Sequence, residues 1–214
     1  MKQSLFYFIL FILVSIQWGF TQTFNNLERA LITSNNKQSA LPVILNTSDV
    51  GKKILSTPCT DIDINDPLLP ILKERMYLTV RDSANDGVGI AAPQVGVNRN
   101  LCWVQRFDKP GEPFEFYINP RILWYSTLKQ KGPEGCLSIP DIRGEVIRSY
   151  AINISYFKED GSYYTESVEG FTAVIFQHEY DHLSGILFPE RIATQMQYRY
   201  KPAADEKRPL LIVE

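Results

Sequence analysis

His178 and His182 are the only histidines in this 214-residue chain, and they stand four residues apart in Gln177-His178-Glu179-Tyr180-Asp181-His182. On an α-helix, residues at i and i+4 share a face one turn apart, so both imidazoles can meet a single metal ion. Glu179 stands beside them, within reach of a water on that ion, where a carboxylate serves as general base. The bland use of such a pair is two hydrogen-bonded histidines on a half-buried helix face. A chain this sparing with histidine, placing its pair at ligand spacing, points instead to metal-assisted hydrolysis.

An HExxH helix in a zinc metallopeptidase usually takes its third ligand from a downstream Glu or His. Here no histidine follows, and the first glutamate is Glu190. Upstream the chain reads Glu134-Gly135-Cys136-Leu137-Ser138 and, earlier still, Gly87-Val88-Gly89-Ile90-Ala91-Ala92-Pro93-Gln94. The latter lacks the third glycine of GxGxxG, which excludes a nucleotide loop. With Gln177–Gly185 these segments give GxGxAAPQ, EGCLS and QHExDHLxG in order, and on them the chain resembles the peptide deformylases.

The resemblance implies removal of formyl from N-formylmethionyl peptides or proteins. Cys136, His178 and His182 would be the metal ligands, leaving one position for water. Glu179 would take that water's proton and deliver it to the departing amine. The Gln94 carboxamide and the Leu137 backbone N–H would stabilise the developing oxyanion, and losing one such donor costs about 2.7–4 kcal/mol of barrier. Val88 and Gly89 would pair with the substrate backbone as an added strand. Glu134 and Arg143 are further substrate candidates, with Arg148 as an ion-pair partner for Glu134. Phe171 and Val174, on the histidine face of the helix, are candidates for the wall of a methionine pocket or for ordinary core. Gln177 and Asp181 are read as groups that hold the ligands. A thiolate with two imidazoles suits Zn2+, Fe2+, Co2+ or Ni2+, and the resemblance implies Fe2+. Two other readings are a general metallopeptidase, against which Cys136 speaks, and a formyl-peptide-binding module, in which a general base would be idle.

The elements that must position these groups are legible in part. Asp66-Pro67 reads as a helix start, with Leu68, Leu69, Leu72, Met76 and Val80 as its apolar stripe, ending before residue 85. Strand signals cover Leu101 to Gln105, Phe114 to Ile118, Arg121 to Tyr125, Val146 to Phe157 and Tyr163 to Thr165, with Asn119-Pro120 as an interruption and residues 159–162 as a hairpin turn. A second helix is expected from Ser167 to Leu183, stopped by Gly185, with Phe171, Val174, Ile175, His178 and His182 on its buried face. Antiparallel strands around a helix carrying the histidines make the fold α+β, as the resemblance also implies.

With 44% apolar residues the chain supports one core, and a net charge of −2 without a basic run excludes nucleic acid as a partner. Lys2, the apolar run Leu5 to Ile16, and the small residues Gly19 and Thr21 have the layout of a secretory signal peptide over residues 1–21. The run is shorter than the ~20 residues of a membrane-spanning helix; an uncleaved anchor is the competing reading, and the one case in which a membrane would be a partner. Export to the periplasm or beyond is therefore expected, with a cytoplasmic location if the segment is unused. Residues 22–46 read as a loose polar arm, 47–195 as one catalytic domain, monomeric, and 196–214 as a polar tail. Cys59 and Cys102 are read as buried free thiols, although an oxidising compartment would permit them to pair.

Overall fold

The computed structural model describes residues 22–85, 87–203 and 210–213, so the signal-like segment lies outside the described residues. Three helices come first, α1 (Asn26–Ile32), α2 (Asp49–Leu55) and α3 (Leu69–Val80). Then follow β1 (Gly89–Ala91), a 3-10 turn (Ala92–Val95), β2 (Leu101–Gln105), β3 (Phe114–Tyr125), β4 (Leu128–Cys136), β5 (Ile139–Ser149), β6 (Ala151–Phe157) and β7 (Tyr163–Glu169). The helices α4 (Gly170–Leu183) and α5 (Phe188–Gln195) precede β8 (Tyr200–Pro202) and β9 (Leu210–Val213).

The strands form two antiparallel sheets, ordered β1-β2-β3-β6-β7 and β5-β4-β9-β8. Helix α4 packs on β1, β2 and β7 of the first sheet and touches β5 of the second. The fold is α+β, with the histidine helix enclosed by strands as expected.

Helix α4 is buried on most of its circumference: Ala173, Ile175, Phe176 and Leu183 are core residues, and Thr172, Gln177, Glu179, Asp181 and His182 are buried with them. Of its buried polar side chains, Gln177 and Asp181 are hydrogen-bonded, whereas Glu179 Oε2 and His182 Nδ1 have no partner among the described residues. Gly170 turns the chain from β7 into the helix with φ +64°, donating its N–H to the Tyr150 carbonyl at 2.7 Å. Gly185 ends it with φ +72°, where a Cβ would stand 2.5 Å from the Ser56 carbonyl oxygen. Only glycine meets both conditions. The helix starts at Gly170 rather than Ser167, because Ser167 to Glu169 complete β7 against β6.

Several segments depart from the sequence reading. The polar arm is not loose. Phe24, Ile32 and Leu41 are buried in the core beside Leu72, Met76 and Val95. Asn25 and Glu28 cap α1 reciprocally, and Glu28 also meets Arg99 in a buried ion pair, Nη2 to Oε2 at 2.8 Å. Arg75, itself buried, donates to the carbonyls of Ile32, Ser34 and Ser39 and so holds the far end of α1. The polar tail is likewise structured: β9 pairs with β4, and its Leu210 is buried. Pro202 sits on β8, the sheet's edge strand, where a missing N–H costs no ladder bond. Asn119-Pro120 does not break β3. Asn119 takes φ +50° within a register shift, and its amide bonds both backbone groups of Ile62. The run Val146 to Phe157 divides at Tyr150, its two halves belonging to different sheets.

Candidate active site

Two structural elements deliver the three ligand candidates. Cys136 closes β4, while His178 and His182 sit one turn apart on α4, and the three ligand atoms lie within 4.8 Å of one another. The His182 Nε2 is 3.2 Å from the Cys136 Sγ. His178 Nδ1 stands 2.8 Å from the Glu134 carboxylate. As donor there, it leaves Nε2 as the lone-pair nitrogen turned to the other ligands, the arrangement of metal-bound histidines. A soft thiolate and two imidazoles around one point, with carboxylate support behind, fit a divalent transition metal.

Glu134 adds a role to the sequence reading. Its carboxylate is buried and occupied, taking Arg148 Nε at 2.8 Å, Arg148 Nη2 at 2.9 Å and His178, so it supports a ligand at the wall of the cavity. The ion pair with Arg148 is as expected. Arg148 Nη1 also donates to Asp181, which is held in turn by Arg191 of α5, Nε to Oδ2 at 3.0 Å. Glu134 is held at about 2: burial opposes its charge, but hydrogen bonds from Arg148 and His178 prevail. Gln177 ties α4 to β5 through Ser149, accepting its N–H at 3.0 Å and donating to its carbonyl at 2.9 Å.

Glu179 is fully inside, and burial raises it to about 7 against the attraction of His178. Its Oε2 has no partner among the described residues. A buried, unpaired carboxylate oxygen beside three ligand atoms is an acceptor waiting for a proton donor, and a water is the fitting one. Gly89 of β1 presses on the same carboxylate, since a Cβ there would lie 2.5 Å from Oε1. Gln94 is oriented by its own turn: Oε1 accepts the Ala91 N–H at 2.9 Å. Its Nε2 then faces the Cys136 Sγ at 3.6 Å and Ser138 Oγ at 3.3 Å, so the donor end points into the site. Ser138 was not singled out from the sequence.

Gln94, Glu134, Cys136, His178 and Glu179 line a cavity of about 700 Å3 that also includes Val88, Gly89, Leu137, Arg143, Phe171 and Val174. Strand β1 is the edge of its sheet, with β2 on one side only. Backbone groups alternate in direction along a strand, and the Ala91 N–H points away from β2 to Gln94, so those of Gly89 do as well. Val88 faces the other way, its carbonyl accepting Gln105 N–H at 2.8 Å. The free edge is thus Gly89's, and Val88 contributes its side chain. Phe171 was expected on the buried face of α4, yet it is 52% exposed and stands at the cavity rim. Val174 lines the same cavity, half-buried. Cys59 and Cys102 are free thiols, both pushed up by burial.

The Polypeptide deformylase family profile matches residues 44–198. A peptide deformylase of Synechocystis sp. is 39% identical over 145 residues, covering 67% of this chain and 76% of that protein. One from Prochlorococcus marinus is 33% identical over 156 residues, 72% of this chain and 76% of the other. Among solved structures, a Met-Ala-Ser-bound class I type b peptide deformylase from Acinetobacter baumannii superposes with a TM-score of 0.64 at 36% identity, over 72% of this chain and 99% of that one. The Thermotoga maritima peptide deformylase gives 0.63 at 34% identity, over 71% and 97%. With its three motifs gathered around one cavity and these relatives, the chain belongs to the polypeptide deformylase family.

Proposed function

We propose that this protein is an exported deformylase, hydrolysing the formyl amide of N-formylmethionyl peptides that have left the cytoplasm. Removal of formyl is the activity of the family to which it belongs, and one observation carries it to this chain: the unpaired, buried Glu179 oxygen beside Cys136, His178 and His182. A divalent ion held by those three residues supplies Lewis acidity and a water of lowered pKa. We assign Fe2+ to the site on family grounds, a choice that metal analysis of protein from its native compartment checks.

Glu179, poised near neutrality, takes the proton of the attacking water and returns it to the leaving amine. Gln94 Nε2 donates to the oxygen on which charge develops, joined by the Leu137 N–H. The peptide lies along the free edge of β1 at Gly89, which reads backbone and leaves the sequence unread. The formylmethionine side chain enters beside Phe171 and Val174. The Acinetobacter baumannii relative is a Met-Ala-Ser-bound structure, which supports a peptide of this kind as the ligand of the cavity.

The signal-like composition of Met1 to Thr21 supports export. The family match begins only at residue 44, so this segment is an addition to the catalytic unit. N-terminal sequencing after cell fractionation reads the location directly. The activity test is formate release from formyl-Met-Ala-Ser by residues 22–214 loaded with metal under anaerobic conditions. Turnover well above a Glu179→Ala control is expected, and its absence overturns the reading.

A further inference from the structure

Phe171 is half in solvent at the rim of the cavity. It is fixed by Phe107, whose ring lies against it with centroids 5.1 Å apart, tilted by 50°. Phe107 belongs to the connection between β2 and β3, and that connection is tied down at its root. Arg106, 1% exposed in its side chain, bonds Asp108 through Nε at 2.8 Å and Nη2 at 2.7 Å. The same guanidinium reaches Glu115 on β3, the Tyr117 hydroxyl, and Glu166 on β7, each at 2.9 Å. Its backbone N–H closes the loop onto the Pro113 carbonyl at 2.8 Å. Strand β7 leads directly into α4, so the Arg106–Glu166 bond ties the base of Phe107 to the strand that feeds Phe171. Val88, on the same rim, hangs from Gln105, the residue before Arg106.

We propose that Phe107 is a positioning residue that holds Phe171 as a fixed wall, and that the Arg106-anchored loop thereby sets which substrate side chain the cavity prefers. The inference rests on the deformylase reading and deepens it, because it concerns the first side chain of the formylated peptide. A ring held in place gives a long unbranched side chain a surface to lie on. A ring free to rotate offers the same area at an entropic cost on each binding event.

The experiment compares formyl-Met-Ala-Ser with formyl-Ala-Ala-Ser on metallated wild type, Phe107→Ala, Phe171→Ala and the double variant. In Phe107→Ala, KM for the methionine peptide should rise about two- to tenfold, the scale of one ring–ring contact, with kcat nearly unchanged. KM for the alanine peptide should stay within about twofold, because its side chain does not reach the wall. Phe107→Tyr should restore the wild-type ratio. In the Phe171→Ala background the Phe107 change should add nothing, since the brace then has nothing to hold. Equal losses for both peptides, or a full additional loss in the double variant, would overturn the proposal. A wild type that releases formate from neither peptide refutes the deformylase reading instead, so the two failures are distinct.

Discussion

Replacing Glu134 by glutamine tests the connection between the buried charges and the ligand set. The carboxylate accepts three bonds with two oxygens: Arg148 Nε on Oε1, and Arg148 Nη2 and His178 Nδ1 on Oε2. A carboxamide has one oxygen. Placed at the Oε2 position it keeps His178 and Nη2, but turns its NH2 toward Arg148 Nε, donor against donor. Placed the other way it confronts two donors, so the first orientation is favoured. Removing the acidic member of a buried pair costs about 3–5 kcal/mol when the remaining charge is left unpaired. Arg148 retains Asp181, which puts the loss for the metal-free protein near the lower end, about 3 kcal/mol. His178 keeps an acceptor, but a neutral one, and its alignment loosens. Loss of such support typically lowers metal affinity about 10- to 100-fold. Urea unfolding of the metal-free protein reads the first quantity, and Zn2+ competition against a chromogenic chelator reads the second. At saturating metal, KM for the formyl peptide should not change. Unchanged metal affinity with a raised KM would refute this reasoning and place Glu134 on the substrate.

Gly89→Ala puts a methyl group 2.5 Å from Glu179 Oε1 and 2.9 Å from Ile175 Cγ2, so the general base must move. A displacement of that order costs about 10²-fold in turnover, and bound metal measured in the same sample should remain stoichiometric; loss of metal instead would show that the ligands, not the base, were disturbed. Asp108 is held down at about 2, first by its hydrogen bonds from Arg106. A carboxyl depressed in the folded state stabilises above its unfolded pKa of ~3.9 and loses that contribution as pH falls toward 2. Asp108→Asn should therefore lower the thermal midpoint at pH 6 by a small amount, given its partial exposure, and the gap should narrow by pH 3; a gap constant between the two would exclude the ion pair as its source.

How far the sequence revealed this molecule depended on the range of each interaction. Helix α4 and strand β2 were legible because their evidence is local: histidines at i and i+4, a terminating glycine, an apolar β-rich run. The arm was misread because its apolar residues, Phe24, Ile32 and Leu41, are scattered among polar ones, and its strongest anchor joins Glu28 to Arg99 across 71 positions. One local signal was present, since Asn25 and Glu28 stand at capping-box spacing. Strand β9 was missed for the same reason as the arm, because what defines it is pairing with the distant β4. Glu134 was paired with Arg148 as found, but its bond to His178 was not read, although strand periodicity could have suggested it. Residues two apart on a strand share a face, so Glu134 goes with Cys136 toward the histidines while Gly135 turns outward.

The motifs therefore specify the chemistry, and residues between them adjust how it is applied. Cys136, His178, Glu179 and Gln94 are recognisable in any sequence that carries the three segments. Arg106 and Phe107 lie in none of them, and nothing in Gln105-Arg106-Phe107-Asp108 marks a buried guanidinium or a ring that meets another 64 positions later. That contact exists only because α4 packs on both β2 and β7 of the first sheet, which brings the connection after β2 to the first turn of the helix. A selectivity device of this kind can differ between family members without touching a motif, and its effect should appear in the ratio of substrates rather than in the capacity to hydrolyse a formyl amide.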